Sequence, residues 1–161
     1  VFLSTRSYQF SYSRFKLIAG FLFCGFLGNG WTQSDLSSLI DTWTDVSQPT
    51  EKRFEALNEL HAEYHLSNPD TVLHCLEELR ILADQLDHQT ALYSAYNRKG
   101  NILRMQGVNT VALQAYMDAE SVARSMGDSS RLASVYANRG NVHYQLNNYV
   151  EATRHFSEAL E

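Results

Sequence analysis

Residues 91–106 read ALYSAYNRKGNILRMQ, and residues 131–146 read RLASVYANRGNVHYQL. Laid on each other with a shift of 40, they pair Leu92 with Leu132, Ser94 with Ser134, Tyr96 with Tyr136, Gly100 with Gly140 and Asn101 with Asn141. Extending the comparison to 91–121 against 131–161 adds Ala112 with Ala152 and Ala119 with Ala159, seven identities in 31 pairs. Tyr116 opposite Phe156, Ile102 opposite Val142 and Lys99 opposite Arg139 are conservative matches. Self-similarity at a fixed period is the signature of a repeat architecture, and it takes precedence over any local motif.

Each unit reads as two helices. Leu92, Tyr96, Gly100 and Leu103 share one face of a first helix over about 89–106. Ala112, Tyr116, Ala119 and Ala123 recur at helical spacing over about 109–126. Gly107-Val108-Asn109 and Gly127-Asp128-Ser129-Ser130 supply the stop and start signals between them. The next unit repeats the plan over about 129–146, with a turn at Asn147-Asn148 and a last helix from about 149. The glycines and alanines let helices approach closely. The aromatic series Tyr96, Tyr116, Tyr136 and Phe156 is expected to fill the spaces between successive units.

A weaker copy lies 40 residues upstream. Phe54, Leu57, Leu60 and Tyr64 mark a helix over about 50–66. Asn68-Pro69 then suits an N-cap and first helical position. Val72, Leu76, Leu79, Ala83 and Leu86 form the stripe of a helix over about 69–86. Residues 35–46, with Leu36, Leu39, Ile40 and Trp43 on one face, form a short helix that would cap the stack. The expected organisation is a segment 1–30, a capping helix within 31–49, and repeats over 50–161, divided as 50–88, 89–128 and an incomplete 129–161. Composition agrees with an all-α chain. The 161 residues hold two Pro and eight Gly, against roughly eight and eleven at average usage.

The pattern resembles the tetratricopeptide repeat (TPR) family, whose signature runs aromatic-x2-Leu-Gly-x2-Tyr, Ala-x3-Phe, Ala. Tyr96, Gly100, Leu103, Ala112, Tyr116 and Ala119 match it in one unit. Tyr136, Gly140, Ala152, Phe156 and Ala159 match it in the next. There are departures. The period is 40 rather than 34, which requires longer helices or a longer turn between units. Lys99 and Arg139 stand at the family's Leu, and His143 stands at its Tyr. The resemblance implies an αα-hairpin solenoid, a TPR-like superhelix of about three repeats. It also implies a scaffold that binds a protein or peptide along the inner face lined by first helices. The candidate contact residues there are Asn97, Arg98, Asn101 and Arg104 in one unit, and Asn138, Asn141 and Tyr144 in the next. An Asn amide both donates to and accepts from a peptide backbone. Asn101 and Asn138 coincide with two asparagines that peptide-clamping members use in this way.

The N-terminal region has a different character. Arg14 and Lys16 precede an apolar run from Leu17 to Leu27, followed by Gly28-Asn29-Gly30. A basic region, an apolar stretch too short to span a bilayer and a small-x-small site are the order of a secretory signal peptide. The expectation is export to a periplasm or cell envelope, with a short membrane anchor as the alternative use of the same segment. Together with the 40-residue units, this segment is similar to the extracytoplasmic sensor regions of bacterial signalling proteins, notably those of Bacteroidetes. That likeness implies the alternative of a sensor portion of a longer protein such as a histidine kinase. The end at Leu160-Glu161, inside a second helix, is likewise expected to belong to a longer array.

No Walker loop, dinucleotide-binding turn or nucleophile elbow occurs, and no catalytic constellation or cofactor is expected. His61 and His65 stand one helical turn apart but lack a third ligand, so no metal is expected there. Glu77 and Glu78 read as a solvated face, and His143 and His155 as surface or packing residues. The net charge of −5 disfavours a nucleic-acid module. Charge is also uneven. Residues 35–95 hold 12 acids and 3 bases, whereas 96–161 hold 6 acids and 7 bases.

Overall fold

The computed structural model describes residues 33–63 and 69–161. Among them are seven helices and no strand: α1 Gln33–Thr44, α2 Thr50–Glu63, α3 Pro69–Gln85, α4 Gln89–Met105, α5 Asn109–Ser125, α6 Ser129–Gln145 and α7 Tyr149–Glu158. The all-α repeat architecture is therefore observed. The signal-like segment, Tyr64, His65 and the Asn68 cap lie outside the described residues. No described helix is long and apolar enough to cross a membrane.

The described residues fall into two compact units that divide at Cys75 and Leu76, within α3. In the first, α1 packs on α2. Trp43 is fully buried, together with Ile40, Phe54, Ala56, Leu57 and Leu60. Arg53 of α2 donates from Nε to the carbonyl of Trp43 at 3.0 Å, which ties down the end of α1.

The second unit explains the period. Helices α3 to α6 each have 17 residues, and α3 to α7 begin at positions 69, 89, 109, 129 and 149. Three-residue turns join them. Two such helices and two such turns make the 40-residue repeat, so the length beyond 34 lies in the helices and not in the turn between units. All four turns close the same way. The residue in the left-handed region is Asp87 (φ 50°), Gly107 (77°), Gly127 (64°) or Asn147 (58°). The next N–H then bonds back to a carbonyl of the helix: His88 to Ala83, Val108 to Leu103, Asp128 to Ala123 and Asn148 to His143, at 2.8–3.1 Å. This geometry satisfies carbonyls that a helix C-terminus would otherwise orphan. The same residue then caps the following helix. His88 Nδ1, Asp128 Oδ1 and Asn148 Oδ1 accept from a backbone N–H three residues on, and Val108 has no side-chain cap.

Within this unit α4 packs on α5, α5 on α6 and α6 on α7, and α4 also touches α6. The glycines let the first helix of each hairpin approach the second, as expected, but the rings they meet are not where the sequence reading put them. A Cβ at Gly100 would lie 2.5–2.8 Å from the Tyr116 ring, and one at Gly140 2.6–3.0 Å from the Phe156 ring. Each glycine thus seats a ring from the second helix of its own hairpin. Tyr116 and Phe156 fill space within their hairpins, not between successive units, because their rings point back at the preceding helix. Ala112, Ala119 and Ala123 are fully buried and keep α5 close to its neighbours.

Candidate functional site

Asn97, Asn101 and Arg104 recur at helical spacing on α4, with Arg98 beside them. Asn138, Asn141 and Tyr144 recur likewise on α6. The two helices are joined directly across this face. Asn138 Nδ2 donates to Asn97 Oδ1 at 2.9 Å. The Tyr93 hydroxyl donates to the Arg131 carbonyl at 3.2 Å, and the Arg131 guanidinium lies over the Tyr93 ring at 5.4 Å.

The predicted contact residues thus divide into two groups. Asn97 and Asn138 hold α4 against α6. Asn101 Oδ1 accepts from the buried Tyr116 hydroxyl at 2.8 Å, which clasps α4 to α5. These bonds use one end of each amide and fix its orientation, so the remaining donors and acceptors are presented in a defined direction. Arg104 lies beside the Tyr116 hydroxyl. Burial pushes that hydroxyl up, and the Arg104 guanidinium pulls it back. The Arg104 Nε is buried with no hydrogen-bond partner. Asn141 and Tyr144 are exposed, and the Tyr144 ring meets Tyr149 edge-on at 5.6 Å.

Two charged clusters escaped the sequence reading. Arg139 of α6 pairs with Glu120 of α5, both largely buried. Glu120 also accepts from Arg124 at 2.8 Å and from the Tyr136 hydroxyl at 3.2 Å. One unit earlier, Lys99 of α4 pairs with Glu77 of α3 at 3.3 Å, and Arg80 donates to Glu77 at 2.9 Å. Hydrogen bonding from Arg80 holds the Glu77 carboxyl below its usual range. Lys99 and Arg139, which replace the family's Leu, are therefore cations bound to the preceding helix. The signal was available, since the shift of 40 pairs the two cations. Their acids do not superpose, however, because Glu77 and Glu120 occupy different registers.

His143, which replaces the family's Tyr, stacks on His155 with ring centroids 5.3 Å apart. His155 is 1% exposed, a packing residue whose Nδ1 meets Glu158 at 2.9 Å. Burial pushes its pKa below the ordinary histidine value. Arg139 and Arg154 act in the same direction and Glu158 opposes. Glu78 is buried rather than solvated, because it lies on the packed side of α3 beside Leu79 and Leu82. Glu77 is half-exposed and held by its two cations. No group of three His, Cys, Asp or Glu that could hold a metal occurs among the described residues. The side chain of His61, like all of His65, lies outside them.

A family model described as tetratricopeptide repeat matches residues 91–161. No curated protein matches the chain.

Proposed function

With residues 91–161 belonging to the tetratricopeptide repeat family, a family of protein-interaction scaffolds, we propose that this chain holds an extended peptide along the face shared by α4 and α6. The observation that carries this reading is the Asn138–Asn97 bond at 2.9 Å. It aligns the amides of successive units and leaves each with further hydrogen-bonding capacity. Asn97, Asn101 and Asn138 supply oriented amide groups. Asn141 and Tyr144 supply exposed ones. Arg98 and Arg104 bring positive charge to a segment that is near neutral in an otherwise acidic chain. An acidic peptide meets less repulsion here than over residues 35–95.

The binding test uses Asn141, which is exposed and carries no core. Panning a peptide library against the purified chain supplies the probe. Asn141→Ala then weakens that peptide by roughly 2- to 12-fold, the equivalent of one hydrogen bond, with helical circular dichroism unchanged. Unchanged affinity, or crosslinking of the peptide only to α5 and α7, overturns the assignment. The order of charge and apolarity over residues 14–30 supports export or tethering at a membrane. N-terminal sequencing of the exported chain is expected to begin near Trp31, and an intact Val1 on a cytoplasmic protein overturns it.

A further inference from the structure

The hydrogen bonds around His155 fix it in one neutral form. Arg154 Nη2 stands 3.2 Å from His155 Nε2, and a guanidinium can only donate, so Nε2 accepts. The ring proton is then on Nδ1, which donates to Glu158 at 2.9 Å. Both ring nitrogens are thus in use on a side chain that is 1% exposed. A second proton must enter at Nε2, where it meets the Arg154 N–H and turns a hydrogen bond into a repulsion. The His143 ring lies 23° from parallel beside it. The buried His143 Nδ1 has no hydrogen-bond partner, so a charged His143 would hold a donor with nothing to accept it.

The surrounding charge is already balanced. Arg124 and Arg139 share Glu120, and Arg154 lies between Glu151 and Glu158. Three cations therefore face three acids, and the cluster is neutral only while both imidazoles are neutral. Glu120 and Arg124 of α5 reach the pair through the Tyr136 ring, Tyr136 and Arg139 face it from α6, and the other three charges stand on α7. Carboxylates ordinarily titrate below imidazoles, and phenols and guanidinium groups far above them.

This pair is also part of the seat of α6. Tyr136, Gly140 and His143 recur at spacings of four and three on α6. They meet His155 and Phe156 of α7. Asn138, Asn141 and Tyr144 recur on the other side of the same helix. A shift of α6 on its seat therefore moves those three side chains and strains the Asn138–Asn97 bond.

We infer that proton uptake by the His143–His155 pair loosens α6 from α7 and releases a peptide held on the α4–α6 face, a regulation that rests on that face being the peptide site. Burial, with Arg139 and Arg154, holds His155 below the ordinary histidine value, and Glu158 opposes them. Affinity is accordingly flat at neutral pH and falls only below that ordinary value. One proton weakens binding by at most about tenfold per pH unit.

The probe is a histidine-free peptide selected from a library against the full chain at pH 7.5. Its affinity for the parent is expected to be at least about threefold weaker at pH 5.0. Amide exchange, corrected for intrinsic rates, is expected to lose protection in α6 and α7 before α4 and α5. His155→Gln is expected to bind equally at both pH values. Arg154→Gln, at an exposed position, removes a cation beside the ring and is expected to move the fall to higher pH. His88→Asn keeps a side-chain cap on α4, as Asn148 does on α7, and is expected to retain the parent's fall. The inference is overturned by equal parental affinity at both pH values, by a fall that survives His155→Gln, by a midpoint unmoved in Arg154→Gln, or by a fall that vanishes in His88→Asn. Equal parental affinity leaves the peptide site standing and removes only its regulation. Failure to select any peptide at pH 7.5 overturns the site itself.

Discussion

Hairpins α4–α5 and α6–α7 share helix length, turn geometry and a glycine seat for a ring, yet they fill the same positions with different chemistry. Where the first has Leu103 and Ala115, the second has the stacked pair His143 and His155. Where the first has Tyr116 bonded to Asn101, the second has Phe156, with no hydroxyl for Asn141. The backbone plan is thus set by small residues and turns. The large residues are free to make one hairpin apolar and clasped, the other imidazole-lined and unclasped. That freedom lets α4 clasp its partner helix through Asn101, while Asn141, the matching residue of α6, stays exposed.

The comparison breaks most easily at the glycines. The Tyr116 ring is pinned by its bond to Asn101, whereas the Phe156 ring has no such anchor. Gly100→Ala is therefore expected to cost about 1–3 kcal/mol, in the range of overpacked cores. Gly140→Ala is expected to cost less, because its ring can give way. Gly140→Leu is expected to disrupt its hairpin in turn. Urea unfolding midpoints check the order, and equal losses at the two alanine variants would show that the clasp does not hold the ring.

Acid is the second probe, and it acts on the second hairpin. Burial holds His155 below the ordinary histidine value of 6.5, so the folded chain binds its proton more weakly than the unfolded chain. Its neutral form is favoured by folding. This contribution is whole above about 6.5 and is lost as pH falls through that value toward the lower folded one. Below the folded value the loss is complete and constant. The groups facing His155 are Glu151, Arg154 and Glu158 on its own helix, and Tyr136, Arg139 and His143 on α6. Urea midpoints at pH 7.5 and 5.5 are expected to fall in the parent and to fall less in His155→Gln. An equal fall in both assigns the acid sensitivity to other groups.

These two probes also mark what could be read from the sequence alone. Gly100, Gly140 and the alanines are legible because a small residue repeated at one register has few other uses, and the four 17-residue helices follow from their spacing. The ring seats were not legible, since nothing in a sequence says whether a glycine faces a backbone or a ring. Nor was the double use of Asn97, Asn101 and Asn138. Periodicity places an amide on a face, but its partner lies 15 residues away in one case and 41 in the other. Glu78 failed for a related reason: a charged residue in a charged run reads as solvated, although its helix is packed there.

A smaller effect tests the clasp directly. Tyr116→Phe makes the first hairpin resemble the second and removes one buried hydrogen bond, at about 0.5–1.5 kcal/mol. It also leaves the Asn101 amide as free as that of Asn141. Phe156→Tyr is the reverse change and is expected to be near neutral, since Asn141 is exposed and already solvated. The two variants are compared by urea unfolding. A large gain from Phe156→Tyr would show that the second hairpin is poised to close in the same way.

The turns should distinguish the hairpins least. Gly107 and Asn147 occupy the same left-handed position, at φ 77° and 58°. A side chain at Gly107 meets nothing within 4 Å, so Gly107→Ala is charged only with the left-handed conformation, about 1–2 kcal/mol. Asn tolerates this region better than Ala does, so Gly107→Asn costs a fraction of that. In the other direction, Asn147→Gly relieves the residual strain but adds backbone freedom to the unfolded chain. It also removes the acceptor of the Tyr149 hydroxyl bond at 2.9 Å. The opposing terms leave Asn147→Gly within about 0.5 kcal/mol of the parent, the size of an ordinary surface change. Thermal unfolding of the three variants together is the measurement. If Asn147→Gly stabilised as much as Gly107→Ala destabilised, the asparagine would be a strained stand-in for glycine. A shift near zero shows that the two turns are equivalent solutions, and that the difference between the hairpins lies in their side chains alone.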